Sequence, residues 1–155
     1  MSPLVQYTER GPHPVGVTSL ELRDPVNPGR TLPTDVWYPA DPGAYEASPP
    51  AAHPIGAHHE ARADAPAATG LPACPLVAFS HGNSGFSRQS TFLTSHLASW
   101  GMVVTAPDHA GNTFFEMATV KDEDERIRRH KDARNNRPND LKATIDLLAA
   151  WLPTV

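Results

Sequence analysis

The stretch PLVAFSHGNSGFSRQSTFLTSHLASWGMVVTAPDHAGNT, residues 75–113, decides the fold. It opens with a short continuous apolar run, 75–80, the mark of a strand covered on both faces. In residues 87–100, Leu93, Leu97 and Trp100 recur at spacings of four and three, which predicts a helix with one apolar stripe. Gly101 follows where a left-handed helix cap belongs. A second apolar run, 102–108, predicts another buried strand. Strand, helix, strand is a βαβ unit, so the two strands are expected to be parallel.

Upstream, VGVTSLELR (15–23) alternates apolar and polar residues as a half-buried strand does. DPVNPGR is turn-rich, and TLPTDVWYP (31–39) carries the sheet-favouring Val36, Trp37 and Tyr38. The two read as an antiparallel pair. Residues 39–75 are mostly Pro, Ala, Gly and His, a composition that buries little apolar surface and predicts a long, partly disordered surface loop. His53, His58 and His59 fall inside it, but no cysteine or carboxylate framework joins them, so a solvated loop is expected rather than a metal site.

Downstream, residues 109–137 read as a loop with mixed charge clusters and a short exposed helix. Pro138 then suits a first helical position and Asp140 a first turn. Leu141, Ile145, Leu148 and Trp151 give the new helix an apolar face, and Pro153 ends it. In an α/β architecture such a helix leads into another parallel strand. The predicted fold is therefore α/β within a single partial domain: an antiparallel β-hairpin, then parallel β-α-β-α.

The chain has 155 residues, 39% apolar and 19% charged, with a net charge of -4, which gives no reason to expect nucleic acid as a partner. The single cysteine, Cys74, excludes an internal disulfide and reads as a structural thiol. Neither a basic, apolar leader nor a membrane span is visible, so a cytoplasmic setting is the expectation.

Gly82-Asn83-Ser84-Gly85 places a serine between glycines in a strand-to-helix loop. A nucleophile elbow, G-x-S-x-G, needs small residues two before and two after the serine, and here Phe86 stands two after Ser84. Ser84, Asp108 and His109 follow the order Ser…Asp…His, but adjacent residues at a strand end point opposite ways, so Asp108 is badly placed to orient His109. The loop also suits backbone N–H groups aimed at a developing oxyanion. A plain tight turn is equally compatible with the residues alone, and neither phosphate-loop pattern is matched.

Residues 75–113 resemble the α/β-hydrolases grouped with platelet-activating-factor acetylhydrolases and dienelactone-hydrolase-like esterases. GPHPVGVTSLELRDPVNPGRTLPTDVWYPA is similar to their first hairpin, and RPNDLKATIDLL to the helix before their nucleophile strand. The resemblance runs from about Gly11 to Leu152 and is weakest in 41–74 and 114–136. It implies that the Asn83 N–H is an oxyanion donor and that Gly82 permits the approach. It places His81, His109 and Asn112 near the substrate pocket, with a structural hydrogen-bonding role the stronger alternative. Ser84 becomes a loop residue that caps the following helix, Ser87 being an equal candidate.

The family's G-x-S-x-G serine, its acid and its histidine have no counterpart among these residues. The expectation is an N-terminal portion of a carboxylic-ester hydrolase: oxyanion loop present, nucleophile absent, inactive alone. A small ester is the implied substrate, with no metal or organic cofactor, and an open sheet edge could pair chains. The alternatives are a non-catalytic binding or interaction module derived from the half-fold, and a self-complete hydrolase using Ser84.

Overall fold

The architecture was read from a computed structural model, which describes residues 6–24, 29–56 and 60–151. Five strands form one mixed sheet: β1 (Val15–Arg23), β2 (Thr31–Pro39), β3 (Arg62–Ala63), β4 (Leu76–Ala78) and β5 (Val103–Pro107), in the spatial order β3-β1-β2-β5-β4. The helices are α1 (Thr91–Ser99), α2 (Phe114–Met117) and α3 (Glu123–Trp151). β1 and β2 pair antiparallel along their full length, from Val15 opposite Pro39 to Arg23 opposite Thr31. β4 and β5 pair parallel around α1, as the βαβ reading requires.

Strand alternation assigns the two faces of the sheet. Val17, Trp37, Val104 and Ala106 pack with Ala98 of α1. Their neighbours Val36 and Val103 pack with Leu148 of α3. The helices therefore cover opposite faces, and β5, buried at all five positions, lies between them. β4 is only half-buried, against the expectation of a strand covered on both faces, because it forms the sheet edge with β5 its one neighbour.

The helices differ in detail from the hydrophobic pattern. The buried face of α1 is Thr91, Thr94, Ser95, Ala98 and Ser99, while Phe92 is 78% exposed and Leu93 half-exposed. Small side chains let the helix sit close on the sheet, so the large apolar residues turn outward. Gly101 has φ +89°, the left-handed cap expected of it. Neither Ser84 nor Ser87 caps a helix: the turn at Ser87–Ser90 follows Phe86, α1 follows Ser90, and neither start has a side-chain cap bond.

α3 begins fifteen residues before the expected start. Acidic Glu123, Asp124 and Glu125 occupy its first turn, and Glu125 pairs with Arg128 at 2.6 Å and Arg129 at 2.7 Å. Those charges favour the positive helix end and the i,i+3 and i,i+4 spacings, so a segment with no apolar face is still helical. Pro138 lies inside the helix with its ring exposed, at the loss of one backbone bond. The buried face is Asp140, Ala143, Thr144 and Leu148, whereas Ile145 is 39% exposed. Pro153 and the side chain of Trp151 lie outside the described residues, as does the centre of the 24–30 turn.

The Pro- and Ala-rich stretch has more structure than its composition implies. Arg62 and Ala63 pair parallel with Gly16 and Val17 of β1, and Ala51, Ala61 and Ala65 are buried. Their small side chains pack against the sheet edge without requiring an apolar run. His53 bonds the Arg88 carbonyl at 2.8 Å; His58 and His59 lie outside the described residues. Among the described residues no cluster of His, Cys, Asp or Glu could hold a metal ion. No described helix is long and apolar enough to cross a membrane.

Candidate active site: the loop after β4

Residues 81–85 run from the end of β4 toward the turn before α1. The left-handed residue in this loop is Ser84, at φ +53°, rather than either glycine. Its N–H donates to Asn112 Oδ1 at 3.3 Å, which helps hold the strained conformation. Gly85 is needed for space: a Cβ there would lie 1.9 Å from Gln89 Oε1 and 2.9 Å from His81 Nδ1. At Gly82 the nearest atom would be 3.6 Å away, so a side chain fits.

Three buried side chains clasp the loop from below. His81 is 1% exposed; its Nε2 accepts the His109 N–H at 3.1 Å, which leaves Nδ1 as the proton-bearing atom, donating to the Gly82 carbonyl at 2.8 Å. Burial pushes its pKa down to about 4, with His109 and Arg137 adding to the effect, so the ring is neutral at pH 7. Asn112 is fully buried; its Oδ1 takes the Ser84 N–H, and its Nδ2 donates to Asn83 Oδ1 at 3.0 Å. His109 is fully buried too, with Nδ1 2.7 Å from Asp140 Oδ2 and Nε2 2.8 Å from Ser80 Oγ.

Asp140 on α3 was not foreseen as a site residue. It is 1% exposed and shares its carboxylate between His109 and a two-pronged contact from Arg30. Burial pushes this carboxyl up, but the hydrogen bonds from Arg30 and His109 outweigh it and hold it below the usual range. One turn away, Arg137 reaches the loop itself. Its guanidinium donates to Ser80 Oγ at 3.1 Å, Gly82 O at 3.0 Å, Asn112 Oδ1 at 3.1 Å and the His81 carbonyl. Arg137 and Asp140 stand in RPNDL, where a helix start masked any sign that they face the loop.

Ser80, His109 and Asp140 are thus bonded in the order of a catalytic triad. Its members are already engaged: His109 is fully buried, Arg30 neutralises the carboxylate, and Arg137 already donates to the oxygen of the half-buried Ser80. Asp108 does not orient His109. Its Oδ1 accepts the Ser87 N–H at 2.6 Å, and burial raises its pKa despite that bond. Ser84 therefore has neither His109 nor Asp108 as a base.

The far side of the loop is pinned as well. The Phe114 N–H donates to the Gly85 carbonyl at 2.8 Å, just inside a capping box in which Thr113 and Glu116 satisfy each other's backbone N–H. A cleft of about 370 Å³ opens beside Phe86, lined also by Asp35, Arg88, Asp108 and Phe115.

The 82–83 peptide is set apart by its bonding. The Gly82 carbonyl accepts from His81 Nδ1, Arg137 Nη2 and the Gly85 N–H at 2.8, 3.0 and 3.1 Å. A trans peptide points its N–H opposite its carbonyl, so the Asn83 N–H faces away from this cage. It donates to no group among the described residues. The neighbouring N–H groups are taken, Gly82 by Gln89 Oε1 at 3.2 Å and Ser84 by Asn112.

Comparison with known proteins bears on the fold and the family. No curated protein matches the chain. Among solved structures, the chain is similar to the ferulic acid esterase from Streptomyces cinnamoneus, with 30% identity and a TM-score of 0.53 over 66% of this chain. The match spans 35% of that esterase. The family model for platelet-activating factor acetylhydrolase, isoform II, matches residues 56–142, more than half of the chain and the whole of the loop with its supports. The chain belongs to the platelet-activating factor acetylhydrolase, isoform II, family of esterase-like α/β-hydrolases.

Proposed function

We propose that this chain carries the oxyanion-binding half of a serine-type carboxylic-ester hydrolase, with the Asn83 N–H as one oxyanion donor. The observation that carries the reading is the Asn83 N–H, without a partner among the described residues, on a peptide whose carbonyl is held by three donors. In such a reaction a serine oxygen bonds to the ester carbonyl carbon, and the π electrons move onto the carbonyl oxygen. A fixed N–H stabilises that charge without reorganising during the step. Collapse expels the alcohol, and water clears the acyl group.

The nucleophile, its base and its acid are proposed to come from sequence outside these residues, beyond a strand that pairs with the open edge of β4. Among the described residues that edge of Leu76–Ala78 has no strand beside it, and β4 is half-buried as an edge strand would be. The same edge would let copies of the chain associate. His81, His109 and Asn112 are proposed to support the loop from beneath, and a small ester is the proposed substrate.

Hydrolysis of 4-nitrophenyl acetate tests this, measured on the 155-residue chain and on any longer product of its gene. The chain alone is expected to show no serine-dependent turnover, and the longer product to show it. Serine-dependent turnover by the chain alone would overturn the division of labour. Absence from both would overturn the hydrolase reading and favour a binding module.

A further inference from the structure

We propose that Arg137 is a positioning residue for this site: it fixes and polarises the 82–83 peptide so that the Asn83 N–H is aimed and strengthened as a donor. The inference rests on the reading of Asn83 above, but its geometry stands separately. Arg137 sends all four of its hydrogen bonds to uncharged oxygens, and three of those belong to residues 80–82 at the base of the loop. The carboxylate that acts on its charge, Asp140, is already engaged by Arg30 and His109. A half-buried cation is being spent on loop carbonyls rather than on a carboxylate.

Two consequences follow from peptide chemistry. First, Nη1 holds the His81 carbonyl while Nη2 holds the Gly82 carbonyl. A planar guanidinium with fixed prongs therefore sets two successive peptide planes at once. The Asn83 N–H direction is determined by the second plane, because the amide is trans. Second, a charged donor on a carbonyl draws electron density through the amide and makes its own N–H a better donor. His81 adds a neutral donor to the same oxygen. Lysine could supply the charge to one carbonyl but not the two-pronged geometry.

The test uses ¹H–¹⁵N correlation spectra of the chain with Arg137, with Arg137→Lys and with Arg137→Gln, alongside ester kinetics on whichever form turns over. Arg137→Gln is expected to move the Asn83 amide proton upfield, as a less polarised N–H, and Arg137→Lys to move it part of the way. The amides of β1 and β2 are expected to stay in place. In kinetics, kcat is expected to fall about 10- to 100-fold for Arg137→Gln with KM within about twofold, a fraction of the loss seen when an oxyanion donor itself is removed. An Asn83 resonance unchanged in a folded Arg137→Gln chain overturns the proposal. Should that variant lose its β1 and β2 signals, Arg137→Lys decides by the same criterion. A shifted Asn83 resonance without ester turnover in either the chain or any longer product of its gene upholds the positioning and overturns the hydrolase reading instead.

Discussion

Acidification is expected to destabilise the loop through His81 before the depressed carboxyls of Asp35, Asp140 and Glu116 are protonated. The ring has one proton, on Nδ1, and both nitrogens are already used: Nδ1 donates to Gly82 and Nε2 accepts from the His109 N–H. A second proton would turn Nε2 into a donor facing a donor, in a ring that is 1% exposed. The native pKa is about 4, against roughly 6.5 for an unfolded histidine. With the folded pKa depressed, the unfolded state binds more protons between those values. Stability is therefore full above about pH 6.5 and falls toward pH 4, by about 1.4 kcal/mol per pH unit. The expected loss is roughly 2 kcal/mol at pH 5, or a urea midpoint lower by about 1 M. Asp35, Asp140 and Glu116 are depressed acids, whose contributions disappear only below the ordinary carboxylate range. Asp108, raised by burial, acts with the opposite sign. Urea titrations of the chain and of His81→Asn at several pH values isolate the histidine: the variant is weaker at pH 7.5 but has a flatter pH dependence. Equal slopes, or a His81 ring titrating at or above pH 6.5 by NMR, would refute the reasoning.

Asp140→Ala strands Arg30 and buried His109 together and is expected to cost about 3–5 kcal/mol, or roughly 10 °C in Tm by calorimetry. A shift under about 2 °C would contradict the proposed anchor. Gly85→Ala, whose Cβ meets the held His81 ring, is expected to cost about 1–3 kcal/mol, and Gly82→Ala well under about 1 kcal/mol, by urea denaturation. Arg88→Ala removes the cation that faces both oxygens of Asp35, a carboxylate 6% exposed and otherwise bonded by Ser19 and Ser87. About 3 kcal/mol should be lost at pH 7, with a smaller loss at pH 4, where the buried Asp35 of the variant, no longer held down by Arg88, takes a proton.

The parts of the fold that rest on local signals were legible in the sequence. Two apolar runs around a helix and Gly101 were enough for the βαβ unit, and alternation was enough for the hairpin. Hydrophobicity misplaced the face of α1, because Thr91, Thr94, Ser95 and Ala98 bury well by being small rather than apolar. The front half of α3 was invisible for a different reason: Glu125 with Arg128 and Arg129 stabilises a helix without any apolar period. The loop's location between a strand and a helix could be read from residue type and resemblance. Its supports could not. Asp140 meets Arg30 across 110 residues and His109 across 31, and Arg137 reaches Gly82 across 55. Long-range ion contacts of this kind leave no spacing to detect, and the proline between the two residues suggested a helix start instead.

The most direct test of the central claim is the intact mass of the folded 155-residue chain after treatment with a fluorophosphonate, which bonds to an activated serine. No adduct is expected, because Ser84 lacks a base and the Ser80 hydroxyl is already hydrogen-bonded to Arg137 and His109. A single stoichiometric adduct would contradict it and place an activated serine within these residues.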